Sequence, residues 1–487
     1  MPQPNIVFIL IDDMGQRDLG CYGSTFYETP NIDTLARDGM LFTDAYAACP
    51  VCSPTRASIM TGRYPATLGL TDYIDWSGKS HPAKGRLIDV PYIKNLPHGI
   101  PNVARELGKR GYATWHVGKW HLGYEESWPE KHGFDVNVGG FTHGMPVNGY
   151  FSPWGFPNLA DGPDGEYLTD RLTDEAIALI RDRDANRPFF LNLWHYSVHT
   201  PIQAKEEVIA KYTDKAKRLG LDGQTAIVEG ARFPGEHKKE KRIQRRIIQS
   251  DPVYAAMIET LDTNIGRLFD TLRSEGVADD TIVVFTSDNG GLATAEGSPT
   301  SNLPLAEGKG WMYEGGTREP LLVRWPGRVA PGSESAEVVT SVDFLPTLVD
   351  AAEGGQGAES SRVAGVEGES IVPILTGARS TLDREAVYWH YPHYGNQGGT
   401  PGSSVRSGRY KLIEFYETGL VELYDLVDDI GEHTNLADAL PDVRQRLHGL
   451  LRRWRESVEA KIPEPNPDYV EWPDRASDGR VTAATRG

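Results

Sequence analysis

The 487-residue chain is poor in cysteine, short of positive charge, and without a long apolar run. Three cysteines, Cys21, Cys49 and Cys52, cannot build a disulfide framework. Fifty Lys and Arg against 68 Asp and Glu give a formal charge of −18. That balance speaks against sequence-independent nucleic-acid binding, which depends on neutralising phosphates, so no nucleic-acid partner is expected. It does not exclude a small anionic substrate, because a few local cations override net charge. No apolar run nears the roughly 20 residues of a membrane span, so no membrane partner is expected. The opening, MPQPNIVFILIDDMG, lacks a basic stretch, and its apolar run from Ile6 to Ile11 ends at two aspartates. It does not read as a signal peptide. The chain as numbered is expected to be cytoplasmic, or periplasmic or secreted if a leader was removed. Nothing in the sequence sets the oligomeric state.

What is present is an ordinary globular composition, 39% apolar and 24% charged. Apolar, β-rich runs near 5–12, 112–118, 188–195, 281–288 and 320–325 read as central strands covered on both faces. Helical patterns lie between them, at 101–110, 168–184 and 251–275, with another at 436–457. In the third, Asp251 is placed as the N-cap, Pro252 as the first helical residue and Gly276 as the stop. The alternation predicts an α/β fold, a large mostly parallel sheet flanked by helices. After about 375 the texture changes to short strand-like pieces and a helix. This predicts a smaller C-terminal subdomain with a small antiparallel sheet. The expected division is 1–375 for the catalytic α/β domain and 376–487 for an α+β subdomain closing the substrate pocket, with 351–370 as the exposed connection. The basic run EHKKEKRIQRR (236–246) reads as a solvated helix or loop in an insertion rather than a nucleic-acid patch.

Four polar motifs directly follow predicted strands: Asp12 and Asp13, GKWHLG (118–123), SVHTP (197–201) and SDNGG (287–291). Ligands of open α/β sheets bind beyond the carboxyl ends of strands. Singly, each motif is as well explained by a turn or helix cap. Together, Asp12, Asp13, Asp288 and Asn289 form an oxygen-only set suited to Ca²⁺ or Mg²⁺ rather than Zn²⁺. Carboxylates brought together without a cation would raise one another's pKa, a physical reason to expect a metal.

ACPVCSPTR (48–56) holds Cys49 and Cys52 at C-x-x-C spacing. A zinc site would need a second pair, and only Cys21 remains. A thiol redox pair and a plain buried turn both stay open. The stretch CSPTRASIMTG places Cys52 at a helix N-terminus, which favours an anion, with Arg56 one turn on and Gly62 as the stop.

CSPTR matches the C-x-P-x-R signature of type I sulfatases in the alkaline phosphatase superfamily. PNIVFILIDDMG, TPNIDTLARDG, CSPTRASIMTGRYP, GKWHLG, VHTP, TSDNGG and GKGWMYEGGTREPLLVRWPG stand in family order from residue 4 to about 327. The tail SGRYKLIEFYETGLVELYDLVDDIGEHTNLA resembles the family's C-terminal subdomain. The resemblance implies an alkaline-phosphatase-like fold and a sulfuric ester hydrolase. It implies that a formylglycine-generating maturation enzyme oxidises Cys52 to Cα-formylglycine, leaving Cys49 without a chemical role. The hydrated aldehyde then attacks sulfur, the alcohol leaves, and the second hydroxyl expels sulfate. By the same resemblance, Asp12, Asp13, Asp288 and Asn289 ligate the metal, Ca²⁺ or alternatively Mg²⁺. Arg56 orients the formylglycine, Lys119 and Lys309 clamp sulfate, His121 holds the hydrate and helps deprotonate it, and His199 protonates the leaving oxygen. His195 competes with His199 for that last role, and the VHTP match favours His199.

HGFDVNVGG, YFSPWGFPNL, GEYLTDRLTDEA and YWHYPHYGNQGGTPGSSVRSG resemble the branch acting on sulfated carbohydrates. His143, His390, His393 and Arg406 are its candidate sugar contacts, each equally readable as structural. The alternatives are a phosphonate monoester or phosphodiester hydrolase of the same superfamily, a silent glycan or anion binder if Cys52 is not matured, and a thiol oxidoreductase.

Overall fold

The computed structural model describes residues 3–78, 81–355 and 363–475. Its centre is a nine-stranded sheet. The strands that position the site are β1 (Asn5–Ile11), β2 (Met40–Tyr46), β3 (Ala113–Gly118), β4 (Val136–Val138), β5 (Phe189–Trp194), β6 (Thr281–Ser287), β7 (Arg318–Arg324) and β8 (Ser333–Ser335). They lie in the order β8-β2-β7-β6-β1-β5-β3-β4, with Val339–Thr340 pairing beside β2. β6, β1, β5, β3 and β4 are parallel neighbours, and β7 runs antiparallel to both β6 and β2. β1 is central. Ile6 pairs with Phe190 on one side and Ile282 on the other. Ile6 to Ile11 are all fully buried. Burial of such side chains stabilises by about 1.5–3 kcal/mol each, so this run is anchored before any polar residue is placed.

Helices cover both faces. α1 (Cys52–Thr61), α2 (Leu168–Arg181) and α3 (Pro252–Ser274) matter most here. α3 follows the expected pattern: Asp251 accepts hydrogen bonds from Val253 N and Tyr254 N, and Pro252 opens the helix. Tyr254, Met257, Ile258, Leu261, Ile265, Leu268 and Leu272 bury the inner face. β2, MLFTDAY, was not foreseen, and β7 starts two residues earlier than its apolar run.

The C-terminal sheet has four antiparallel strands, β9 (Val387–Tyr391), β10 (Gly402–Ser407), β11 (Tyr410–Phe415) and β12 (Val421–Asp425), with helix α4 (Pro441–Ser457) packed on it. It is fused to the main sheet through buried charge and aromatic packing. Lys411 Nζ on β11 donates to Glu314 Oε1 (2.8 Å), and Trp389 Nε1 on β9 donates to Ala47 O (2.8 Å). Part of the expected connection, 356–362, lies outside the described residues.

The basic run at 236–246 opens with a 3-10 turn at Glu236–Lys238 and is exposed at 239–241, as expected of a solvated segment, but it ends in a strand. Arg242–Arg246 is a strand paired antiparallel with Ile227–Arg232. Ile243 is fully buried, Arg245 pairs with Glu307, and Arg246 Nε donates to Ser298 O (2.5 Å). The fold's own carboxylate and carbonyl groups take up the charge of Arg245 and Arg246, so this end of a stretch that looked solvated is partly buried. Among the described residues no helix is long and apolar enough to cross a membrane.

Candidate active site

Adjacent parallel strands deliver their following loops to one edge of a sheet. Asp12 and Asp13 follow β1, Lys119 and His121 follow β3, His195 to His199 follow β5, and Asp288 and Asn289 follow β6. β6, β1, β5 and β3 are consecutive in the sheet, so four separate motifs converge. Two glycines make the convergence possible. Gly118 has φ +101°, and a Cβ there would stand 2.0 Å from Trp194 O. A Cβ on Gly144 would stand 2.3 Å from His121 Cε1.

The carboxylates are buried and cross-linked. Asp13 N donates to Asp288 Oδ1 (3.2 Å), and Asn289 Nδ2 donates to Asp13 Oδ1 (2.8 Å). Lys119 Nζ donates to Asp12 Oδ2 and Lys309 Nζ to Asp13 Oδ2, both at 2.7 Å. Arg56, fully buried in α1, donates from Nε to Asp288 Oδ2 (2.8 Å), with Nη2 3.5 Å from Asp12 Oδ1. Burial, reinforced by Asp288 and Asp13 against the pull of Lys119, pushes Asp12 well above the usual carboxylate range. Burial also acts on Asp13, but Lys309, His199 and Lys119 outweigh it and hold the group low. Asp12 Oδ1 and Asn289 Oδ1 are buried and accept no hydrogen bond among the described residues. Two orphaned oxygens within an all-oxygen set fit a hard divalent cation.

Cys52 occupies the first position of α1, after an extended Val51. Its Sγ lies 3.3 Å from His121 Nδ1. His121 Nε2–H donates to Ile74 O (2.9 Å), so Nδ1 keeps its lone pair toward Cys52. Ser53 Oγ donates to His121 O (2.8 Å), tying the loop to the helix start. Burial, with Lys119 and Arg56 nearby, lowers His121 well below its ordinary value, so it is a neutral acceptor. Burial raises the Cys52 thiol, with Lys119 and Lys309 opposing. His199 Nδ1–H donates to Thr200 O (2.8 Å), and Nε2 lies 3.6 Å from Asp13 Oδ2. Burial and Lys309 take it down to about 3.

These groups border a cavity of about 300 Å³, lined by Cys52, His121, His199 and Lys309 and by Tyr73, Trp76, Glu296, Asn396 and Gln397. The last five were missed by the motif reading. Trp76 is 44% exposed, an unusual state for tryptophan, and the Q/N-rich stretch at 395–397 was quoted only as part of a longer resemblance. His195, the competing histidine, is fully buried, burial takes it down to about 4, and it does not line the cavity.

The four candidate sugar contacts part company. His143 packs at a tilt of 38° against Trp76, ring centroids 4.6 Å apart, next to the lining residue Gly144. His390 is buried under the small sheet, with Nδ1 2.8 Å from Ser403 Oγ and Nε2–H donating to Lys461 O (3.0 Å). Arg406 is buried against Asp44 (2.6 Å) and the Tyr46 hydroxyl. His393 is fully enclosed, 2.8 Å from Thr71 Oγ1. The structure therefore brings one of the four to the pocket and satisfies His390 and Arg406 elsewhere. Sequence marks them as polar but not which face of the sheet receives them.

A family model described as Sulfatase matches residues 4–355, and one described as N-sulphoglucosamine sulphohydrolase, C-terminal, matches 307–457. A protein named Sulfatase from Formosa agariphila is 30% identical, covering 96% of this chain and 93% of its own. Human N-acetylgalactosamine-6-sulfatase is 29% identical, covering 97% and 89%. The crystal structure of Ps i-CgsB in complex with k-i-k-neocarrahexaose superposes with TM-score 0.72 at 26% identity, covering 97% and 95%.

Proposed function

The chain belongs to the sulfatase family, and we propose that it removes sulfate from a sulfated mono- or oligosaccharide. One observation carries the reading. Cys52 stands at a helix N-terminus on a cavity lined also by His121, His199 and Lys309, and buried Lys119, Arg56 and the oxygen-only cluster are linked to one another and to Lys309 beside it. That arrangement suits a tetrahedral anion attacked at its centre. The likeness to the relatives' named activities and the saccharide complex supports a carbohydrate substrate. So does the Trp76–His143 pair at the mouth, an aromatic wall with a polar edge.

We take Cys52 as the residue a formylglycine-generating enzyme converts; Cα-formylglycine supplies a hydrated aldehyde as nucleophile and an internal route for sulfate release. Asp12, Asp13, Asp288 and Asn289 would hold a divalent cation, Ca²⁺ before Mg²⁺, which supplies positive charge to the sulfate oxygens. Four closely packed protein oxygens suit Ca²⁺, whereas Mg²⁺ tends to keep several of its waters. Arg56 fixes Asp288 and the start of α1. Lys119 and Lys309 present ammonium groups to the sulfate as point charges. His121 Nδ1 accepts a proton at residue 52. His199 faces the pocket from the opposite loop. Burial and Lys309 hold it low, and an anionic ester beside it raises its proton affinity, which suits it to protonate the leaving oxygen in the complex. Residues 1–375 would act as the catalytic domain and 376–487 as the part that closes the pocket, through Asn396 and Gln397.

A second reading has its own support. The Cys52 thiol is raised by burial and is a poor nucleophile unmodified, so an unmatured chain would bind sulfated glycan without cleaving it. Matured protein should release sulfate from sulfated oligosaccharides and turn over an aryl sulfate faster than phenylphosphonate. Faster phenylphosphonate turnover would shift the assignment to a phosphonate monoester hydrolase, and binding without release to a glycan binder.

A further inference from the structure

Beyond the catalytic pocket, a second cluster of metal-ligating atoms lies behind its wall. Asp72 Oδ2, His81 Nε2 and His393 Nδ1 all lie within 4.8 Å of one another. The side chains are buried: Asp72 and His393 are 0% exposed and His81 9%. None of the three atoms has a hydrogen-bond partner among the described residues. Buried polar atoms are normally paired, and three unpaired ones aimed at a common point call for an occupant.

Neighbouring groups hold each of the three in place. His81 Nδ1–H donates to Asp89 Oδ2 (3.0 Å), the carboxylate–histidine arrangement that fixes a ligating imidazole. His393 Nε2 meets Thr71 Oγ1 at 2.8 Å, and Nδ1 lies 3.8 Å from Asp72 Oδ2 and 3.7 Å from Asp89 Oδ1. Asp72 Oδ1 accepts from Tyr391 OH (3.0 Å) and Tyr73 N (2.8 Å), leaving Oδ2 free. The spacing also fits. Tetrahedral ligands at the bond lengths of Zn²⁺ stand roughly 3.3 Å apart. Here His81 Nε2 is 3.3 Å and His393 Nδ1 is 3.8 Å from Asp72 Oδ2. The 3.3 Å approach is also short enough for an ion pair of His81 with Asp72, which a bound cation would replace.

We propose that Asp72, His81 and His393 form a second cation site for a borderline transition-metal ion of the Zn²⁺ type, with water as fourth ligand. Two nitrogens and one oxygen select against Ca²⁺ and Mg²⁺, so the two sites sort metals by donor type. Asp72 and Asp89 bring two carboxylates to the cluster, the charge that a divalent ion balances. The ion joins 71–75 and 81–89, close in sequence, to the distant segment 391–397. Tyr73, Ile74 and Asp75 from the first, and Asn396 and Gln397 from the last, line the catalytic cavity. The site is thus a staple for the pocket wall rather than a source of catalysis.

The test is metal binding by the full-length chain with Ca²⁺ in excess to occupy the oxygen site. Zn²⁺ alone is titrated and retained metal counted after gel filtration. Wild type should keep one Zn²⁺ per chain, and His81→Gln and His393→Gln should each weaken binding by at least about tenfold. Co²⁺ in wild type should give the intense visible absorption of a tetrahedral nitrogen–oxygen site. No retained Zn²⁺ in wild type, or equal retention in both variants, overturns the proposal. If a variant fails to fold, the wild-type Co²⁺ spectrum decides: a weak octahedral band, or none, overturns it.

Discussion

Two carboxylate–histidine clusters flank the wall of one pocket, and their charge environments are opposite. Around Asp12, Asp13 and His199 stand Lys119, Lys309 and Arg56. Around Asp72, His81 and His393 stand Asp89, Tyr391 and Tyr92. The first offers oxygens to a cation and ammonium groups to an anion, and it opens on the cavity. The second offers nitrogens, and among the described residues no ion pair ties it to a lysine or arginine. A histidine beside an aspartate therefore says little on its own. The neighbouring charges and the route to solvent decide whether the pair handles substrate or holds the wall.

The largest expected effect separates the clusters outright. Cys52→Ala should lower turnover by at least about 10³-fold, as removal of a nucleophile does, while Cys49→Ala should keep most of it. Steady-state sulfate release measures both. Loss of activity in a folded Cys49→Ala protein would revive the thiol-pair reading. Asp288→Asn removes the charge opposite fully buried Arg56 and should cost about 3 kcal/mol of stability, read by urea unfolding with Ca²⁺ present. His199→Ala should cut kcat about 10²-fold on a sugar sulfate and much less on an aryl sulfate with a good leaving group. An equal loss on both substrates would make His199 a binding group.

Smaller effects sharpen the contrast among the histidines. His116 and His390 are both taken by burial from 6.5 to about 3. A depressed folded pKa gives stability that is complete above about 6.5 and is lost as pH falls toward about 3. Denaturation from pH 7 to 4 should show that decline, and His390→Gln should flatten it without changing KM. His143→Ala should do the reverse, raising KM several-fold at unchanged stability.

The candidate site was legible where chemistry follows an apolar run directly. Asp12, Lys119, His199 and Asp288 each stand one to five residues past a buried strand, and the parallel order of β6, β1, β5 and β3 brings those ends together. What was not legible returns from loops. Tyr73, Trp76 and Gln397 reach the cavity through segments with no periodicity. β10, a GSSVRS strand of mostly small polar residues, carries little strand signal, yet it sits between β9 and β11 and sets which side of the sheet His390 faces. The strand at 242–246 was hidden by its arginines; the partners of Arg246 and Arg245 lie 52 and 62 residues away in sequence.

The central claim is that residue 52 becomes the nucleophile. The most direct measurement is the mass of the tryptic peptide carrying it, from protein made alongside a formylglycine-generating enzyme, with an aldehyde-trapping reagent as a second readout. Conversion of the CH₂SH side chain to CHO at Cys52, in step with sulfate release, is the predicted result. An intact thiol in protein that releases sulfate at full rate would contradict it.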